Sequence, residues 1–267
     1  MTDGESGWRS IPTTNIYNFR DYGGYPVKSG GRLVRGMLFR SGDHSSANSV
    51  DLATVARLKL SAVVDLRSKA ERDESPNRLP SNFDGHVYFG ETFIQGNAPH
   101  LVGDKDGQPV SPEEIQTRYV DLYRQLPFRE PIIEILRGYF AALSQSPRAI
   151  LVHCMAGKDR TGIAVALFQR LMGVSLDDTL GDYLLTNTLG DVEARIVAQT
   201  AYMRAHNPSL STIALKTSLS VEPMYLLAFL EAIEAEYLTI PNYVNDVLGI
   251  STSEQSALRT KFVTQEL

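Results

Sequence analysis

The stretch RAILVHCMAGKDRTGIAVALFQRLMG, residues 148–173, decides the fold of this chain. Its first part, RAILVH (148–153), is a short apolar run, the pattern of a strand buried on both faces. Its last part, RTGIAVALFQRLM (160–172), is apolar on most faces and ends at Gly173, a residue type that closes helices in the left-handed conformation. Between them lies one turn, HCMAGKDRTG (153–162), which opens on Cys154 and carries Arg160 six residues later. The stretch therefore predicts a strand, a tight loop and a helix in direct succession.

Working outward, SAVVDLR (61–67) predicts a second buried strand and HVYFG (86–90) a weaker third. Residues 15–42 alternate glycines with short apolar stretches, which predicts loops and short strands. The spacing of Val50, Ala53 and Leu58 predicts a helix over 49–60. Ser111, Pro112 and Glu114 together predict a helix start with a capping box, and helices over 112–125 and 130–144. Further helices are predicted over 176–186, 189–206, 222–237, 241–248 and 253–264. Strands before residue 155 and helices after it predict an α/β fold: a small parallel or mixed sheet flanked by helices, with a helical C-terminal extension. The chain reads as a single domain, 1–267. Its 91–110 loop, rich in Gly, Asp and Pro, makes 91–130 a candidate lid or insertion.

Composition narrows the function. Of 267 residues 43% are hydrophobic and 21% charged, enough for a real core. A single cysteine excludes a disulfide scaffold and a multi-cysteine metal centre. The balance of 31 acidic to 26 basic residues argues against general nucleic-acid binding, but leaves room for a local positive pocket that takes a small anion. No apolar run approaches the roughly 20 residues of a membrane span. The start, MTDGESGWRS, has neither the basic nor the apolar region of a secretory signal, so a reduced, cytoplasmic protein is expected. His44, His86, His100 and His206 lack metal-ligand spacing, so neither a metal nor a cofactor is expected.

The turn's chemistry is thiolate attack on a phosphoryl group. The backbone N–H groups of Met155, Ala156, Gly157, Lys158, Asp159, Arg160 and Thr161, at a helix start, make an anion nest. Arg160 can grip two phosphate oxygens at once, and the same positive field stabilises a thiolate at Cys154. Thr161 can donate to that thiolate. His153 precedes Cys154 on the strand, so its side chain points to the other face and is expected to support the turn rather than act as a base. The rival reading is an inert, buried cysteine. His, Gly, Arg and Ser/Thr at these spacings around one cysteine arise by chance at a rate on the order of 10⁻⁵, which favours the reactive reading. A phosphate-binding module without turnover is the alternative function.

HCMAGKDRTG resembles the Cys-x5-Arg signature of cysteine-dependent protein tyrosine phosphatases, and its GKDRTG ending resembles the atypical bacterial and fungal group. Residues 18–42, 61–71 and 221–251 are similar to that group as well. The resemblance implies a phosphatase α/β core. It implies activity on phosphotyrosine, in some members also on phosphoserine, phosphothreonine and phosphoinositides, so a phosphorylated protein or a phosphoinositide is the expected partner. Lys158, a second cation in the turn, suits a substrate with more than one phosphate; a solvated lysine is the plainer reading.

The reaction needs a proton donor for the leaving oxygen. The mobile Trp-Pro-Asp tripeptide of many tyrosine phosphatases is absent, since the one tryptophan, Trp8, precedes Arg9. Two catalytic candidates stay open. The resemblance makes Asp159 the leading acid, although a carboxylate at a helix start is also favoured structurally. Asp65 lies at the end of the strand in AVVDLR; if the 62–66 and 149–153 strands are parallel neighbours, Asp65 shares the edge with Cys154. Arg67 and Glu71 are expected to form structural pairs near it.

Overall fold

The computed structural model of the chain describes residues 7, 9–91, 111–190 and 212–264. The loop expected over 91–110 and the helix expected over 189–206 lie, apart from Glu91, Leu189 and Gly190, outside the described residues.

Five strands form one sheet: β1 (Arg20–Asp21), β3 (Leu38–Ser41), β4 (Ala62–Asp65), β5 (His86–Phe89) and β6 (Ile150–His153). Their spatial order is β1-β3-β6-β4-β5, with β1 antiparallel to β3 and the remaining pairs parallel. The strand that leads to Cys154 is therefore central. Its last residue, His153, stands in register with Ser41 on one side and Asp65 on the other. The loop after β6 emerges at the carboxyl edge of the parallel strands, where open α/β sheets bind their ligands.

Side chains alternate along each strand, and both faces are covered. Leu38, Ala62, Val64, Ile150 and Val152 face the larger core; Phe39, Val63 and Leu151 face a smaller one with Ile16, Phe19 and Val55. The larger core is built by α3 (Pro112–Gln125), α4 (Glu130–Gln145), α5 (Asp159–Met172) and, further on, α9 (Pro223–Tyr237). Helix α5 is buried nearly all round and closes on Gly173 at φ +95°, as its sequence predicts.

Two local expectations need correction. In α1 (Ser49–Arg57), Val50 is 69% exposed; the buried face is Asp51, Thr54 and Val55. The cause is polar: the Asp51 carboxylate accepts the backbone N–H groups of Thr14, Asn15 and Asn48, which turns the helix. At α3, Ser111 Oγ accepts the Glu114 N–H at 3.1 Å, but the Glu114 side chain pairs with Arg118 instead of closing the capping box. Within the 91–130 region, α3 packs on the core through Ile115, Tyr119 and Tyr123.

The C-terminal extension is helical through α6 (Leu176–Leu184), α7 (Thr186–Leu189), α8 (Thr212–Leu219), α9, α10 (Ile240–Asp246) and α11 (Thr252–Phe262). It ends in a strand that sequence periodicity missed, β7 (Val263–Thr264), paired with β2 (Arg32–Leu33). Among the described residues no helix is long and apolar enough to cross a membrane.

Candidate active site

Cys154 leaves β6 almost fully buried, and the backbone then turns through Gly157 at φ +63°. A Cβ there would stand 2.4 Å from the Ser41 carbonyl oxygen, so the position requires glycine. The Gly157 carbonyl accepts Asn18 Nδ2–H at 2.8 Å and Arg40 Nη2–H at 3.0 Å. Because a trans peptide points its C=O and the following N–H in opposite directions, the Lys158 N–H is turned away from these donors.

The donors are themselves fixed. Arg20 Nε and Arg40 Nη1 share the Asp182 carboxylate at 3.2 and 2.8 Å, and Asn18 Oδ1 accepts from Arg20. All three charged groups are buried. Burial pushes the Asp182 carboxyl up, but Arg20 and Arg40 outweigh it and hold the group below the usual carboxylate range. Burial and the neighbouring Arg40 charge lower Arg20 to about 10. Two guanidinium groups against one carboxylate leave positive charge in excess behind the loop, a field that suits an anion.

Arg160 lies in the first turn of α5. Its Nη1 and Nη2 donate end-on to the two Glu71 carboxylate oxygens, each at 2.7 Å, and Nη1 also donates to the Leu66 carbonyl at 3.2 Å. The Nε–H and the second Nη2–H, which form the side-on edge of the guanidinium, have no partner among the described residues. That edge presents two parallel donors, the geometry that matches two phosphate oxygens. Glu71 belongs to α2 (Lys69–Glu74), where a capping box with Ser68 fixes it. Burial pushes Glu71 up, and the Arg160 contact overrides it, bringing it down to about 2. Glu71 is thus the partner of the loop arginine, a pairing the sequence reading missed.

Asp65 does lie on the same edge as Cys154, opposite His153. Its carboxylate is taken by Arg67 through Nε at 2.9 Å and Nη2 at 2.8 Å, and by Asn77 Nδ2 at 3.0 Å. Burial raises its pKa, but the Arg67 guanidinium against it more than offsets this and holds Asp65 below the usual carboxylate range, so Asp65 stays ionised. Asn77 Nδ2 also donates to His153 Nε2 at 2.8 Å. His153 therefore carries its proton on Nδ1 and gives it to the Cys154 carbonyl at 3.2 Å. Burial keeps this imidazole below its ordinary pKa, hence neutral. His153 supports the turn from the far face, as expected.

Asp159 opens α5, and its Oδ1 accepts from Tyr123 Oη at 2.7 Å. Tyr183 Oη lies 2.8 Å from Tyr123 Oη. Lys158 is neither solvated nor extended from the loop: it is 2% exposed, and its ammonium donates to the Ser218 carbonyl at 2.6 Å and the Ser220 carbonyl at 3.2 Å. The Thr161 hydroxyl is buried without a hydrogen-bond partner among the described residues, so the expected bond to the thiol is not made. Among the described residues no three His, Cys, Asp or Glu side chains gather as a metal-ligand set.

An anion cradle at a strand–helix turn, with a thiol at its base and an arginine clamped so that one edge stays open, is the architecture of a cysteine-dependent phosphatase. Comparison with known proteins agrees. Residues 11–264 match the model of the tyrosine phosphatase family, and the chain belongs to that family. It is similar to a provisionally named tyrosine-protein phosphatase of Cupriavidus necator, at 31% identity over 93% of this chain and 87% of that protein. It is equally similar, at 31% identity, to the triple specificity protein phosphatase PtpB of Mycobacterium tuberculosis, over 94% of this chain and 97% of that protein. Among solved structures, TpbA of P. aeruginosa aligns with 69% of this chain and 86% of its own, at 18% identity and a TM-score of 0.31.

Proposed function

We propose that the chain, read as one domain over 1–267, hydrolyses phosphomonoesters through a phosphocysteine at Cys154. The observation that carries this is the open side-on edge of Arg160 in the loop that Cys154 begins. The Cys154 thiolate attacks phosphorus, and a bond forms from Sγ as the bond to the leaving oxygen breaks. Arg160 and the N–H groups of residues 155–161 hold the three equatorial oxygens as their charge develops. Asp159 gives its proton to the leaving oxygen. It then takes one from the water that attacks the phosphocysteine, releasing phosphate and restoring the thiolate.

Asp159 is preferred to Asp65 as the acid because an ionised carboxylate gripped by Arg67 has no proton to give. Asp65 is assigned to positioning: through Asn77 it fixes the tautomer of His153, which holds the Cys154 carbonyl. Lys158 contributes its backbone N–H to the cradle and uses its ammonium to tie the loop to the C-terminal end of α8.

Phosphotyrosine is the proposed substrate, with phosphoserine, phosphothreonine and phosphoinositides as further classes. The similarity to a triple specificity phosphatase supports that breadth. A reducing compartment such as the cytoplasm suits a thiolate nucleophile. The test is one panel of phosphotyrosine, phosphoserine and phosphoinositide substrates, run with Cys154→Ser as control. The wild type is expected to turn over phosphotyrosine and to yield phosphocysteine in an acid quench. Undiminished turnover in Cys154→Ser overturns the reading.

A further inference from the structure

We propose that Tyr123 is a positioning residue for Asp159, backed by Tyr183, and that the pair fixes which carboxyl oxygen carries the transferable proton. The proposal rests on the assignment of Asp159 as the acid.

The geometry sets the direction of every bond. Tyr123 Oη donates to Asp159 Oδ1 at 2.7 Å. A tyrosine has a single hydroxyl proton, so the 2.8 Å contact between the two phenols is a bond from Tyr183 to Tyr123. Both phenols are fully buried, and burial together with the Asp159 charge holds both well above the ordinary tyrosine pKa. They stay neutral donors throughout the working range. With Oδ1 occupied by the Tyr123 donor, Oδ2 is the oxygen left to exchange a proton with the leaving group; it lies 3.6 Å from Lys158 Nζ.

Asp159 needs such a brace. It is the first residue of α5, and a free carboxylate there can swing back onto its own helix N-terminus. Tyr123 reaches it from α3, thirty-six residues earlier in the chain. The brace is rigid: the Tyr123 ring tilts against Tyr225 at 5.8 Å, and Tyr119 stacks on the same ring at 5.1 Å. Helix α5 also makes room for it. A Cβ at Gly162 would stand 2.7 Å from the Tyr183 ring, and a glycine inside a helix costs about 1 kcal/mol relative to alanine. The sequence therefore accepts a weaker helix where Tyr183 must approach.

The test compares kcat/KM for phenyl phosphate, a poor leaving group, with that for dinitrophenyl phosphate, a good one. Tyr123→Phe keeps the ring and removes the donor. It is expected to lose roughly tenfold on phenyl phosphate and less than about threefold on dinitrophenyl phosphate. Tyr183→Phe is expected to move the same way by less, and carries the test if Tyr123→Phe does not fold. Added to Asp159→Asn, Tyr123→Phe should cost nothing further on phenyl phosphate, because the group it positions is gone. A purely structural role would lower both substrates alike and add to Asp159→Asn. If Asp159→Asn is selective for the poor leaving group while Tyr123→Phe and Tyr183→Phe are not, the positioning proposal falls and the acid stands. If Asp159→Asn shows no such selectivity, the acid assignment falls and takes the proposal with it.

Discussion

Glu71 holds Arg160 end-on through two 2.7 Å hydrogen bonds, so the loop arginine is aimed by a carboxylate from α2, the helix that follows β4. Glu71→Gln should leave Arg160 loosely held, raising KM for an aryl phosphate and lowering kcat/KM by about tenfold or more. The pair also links stability to pH. The folded carboxyl sits at about 2 against an ordinary 4.5, so it is depressed. Its contribution is full above pH 4.5 and is lost as pH falls toward 2. It amounts to about 3 kcal/mol at most. Thermal unfolding of wild type and Glu71→Gln should differ at pH 7 and converge only as pH approaches 2.

Asp182 is the shared carboxylate partner of two buried arginines. Asp182→Asn keeps the shape and removes the charge, leaving Arg20 and Arg40 buried without a counter-ion. The expected loss is roughly 3–5 kcal/mol, read as a lower urea midpoint. A loss under about 1 kcal/mol would mean that water enters and solvates the pair.

Gly157 and Gly173 both adopt positive φ, but only Gly157 faces backbone at 2.4 Å; at Gly173 the nearest atom to an added Cβ is 3.5 Å away. Gly173→Ala should cost about 1–2 kcal/mol of stability and leave kcat/KM of the folded enzyme unchanged. Gly157→Ala should displace the loop and reduce kcat/KM about a hundredfold or more. Equal effects of the two on activity would contradict the placement of the Gly157 carbonyl.

Asp65→Asn breaks a buried pair with Arg67 and weakens the hold of Asn77 on His153. It should destabilise the protein by roughly 3 kcal/mol and lower kcat/KM equally for poor and good leaving groups. A loss confined to the poor leaving group would make Asp65 the acid after all.

The strand, loop and helix over 148–173 were legible because each carries its own local signal: a buried apolar run, a glycine at a strained turn, a closing Gly173. The placement of Asp65 beside the loop was legible from the rule of parallel strands. What could not be read was partnership. Asp51 turned α1 because it collects amides from the N-terminal segment, which outweighs the apolar spacing of Val50, Ala53 and Leu58. Asn18, Arg40 and Asp182 lie in unrelated segments with no shared periodicity, so their convergence on Gly157 left no trace in composition. Glu71 was noticed as a pairing residue, but its partner is eighty-nine residues away. Nothing in the sequence of α3 sets Tyr123 apart from its other buried residues; its hydroxyl is what matters.

The backing of the Gly157 carbonyl also dictates when the enzyme comes into being. Asn18 and Arg40 precede it by 139 and 117 residues, and Asp182, which aims Arg40, follows Arg40 by 142. A nascent chain that has emerged through α5 possesses the whole signature, yet lacks the carboxylate that aims Arg40. Contacts of such sequence separation close late, because loop-closure entropy must be overcome first. During refolding, helical signal should therefore return ahead of phosphate affinity, and a ribosome-bound fragment ending at residue 175 should carry the motif without the activity. The anion cradle is a product of the completed chain, not of the segment that spells it.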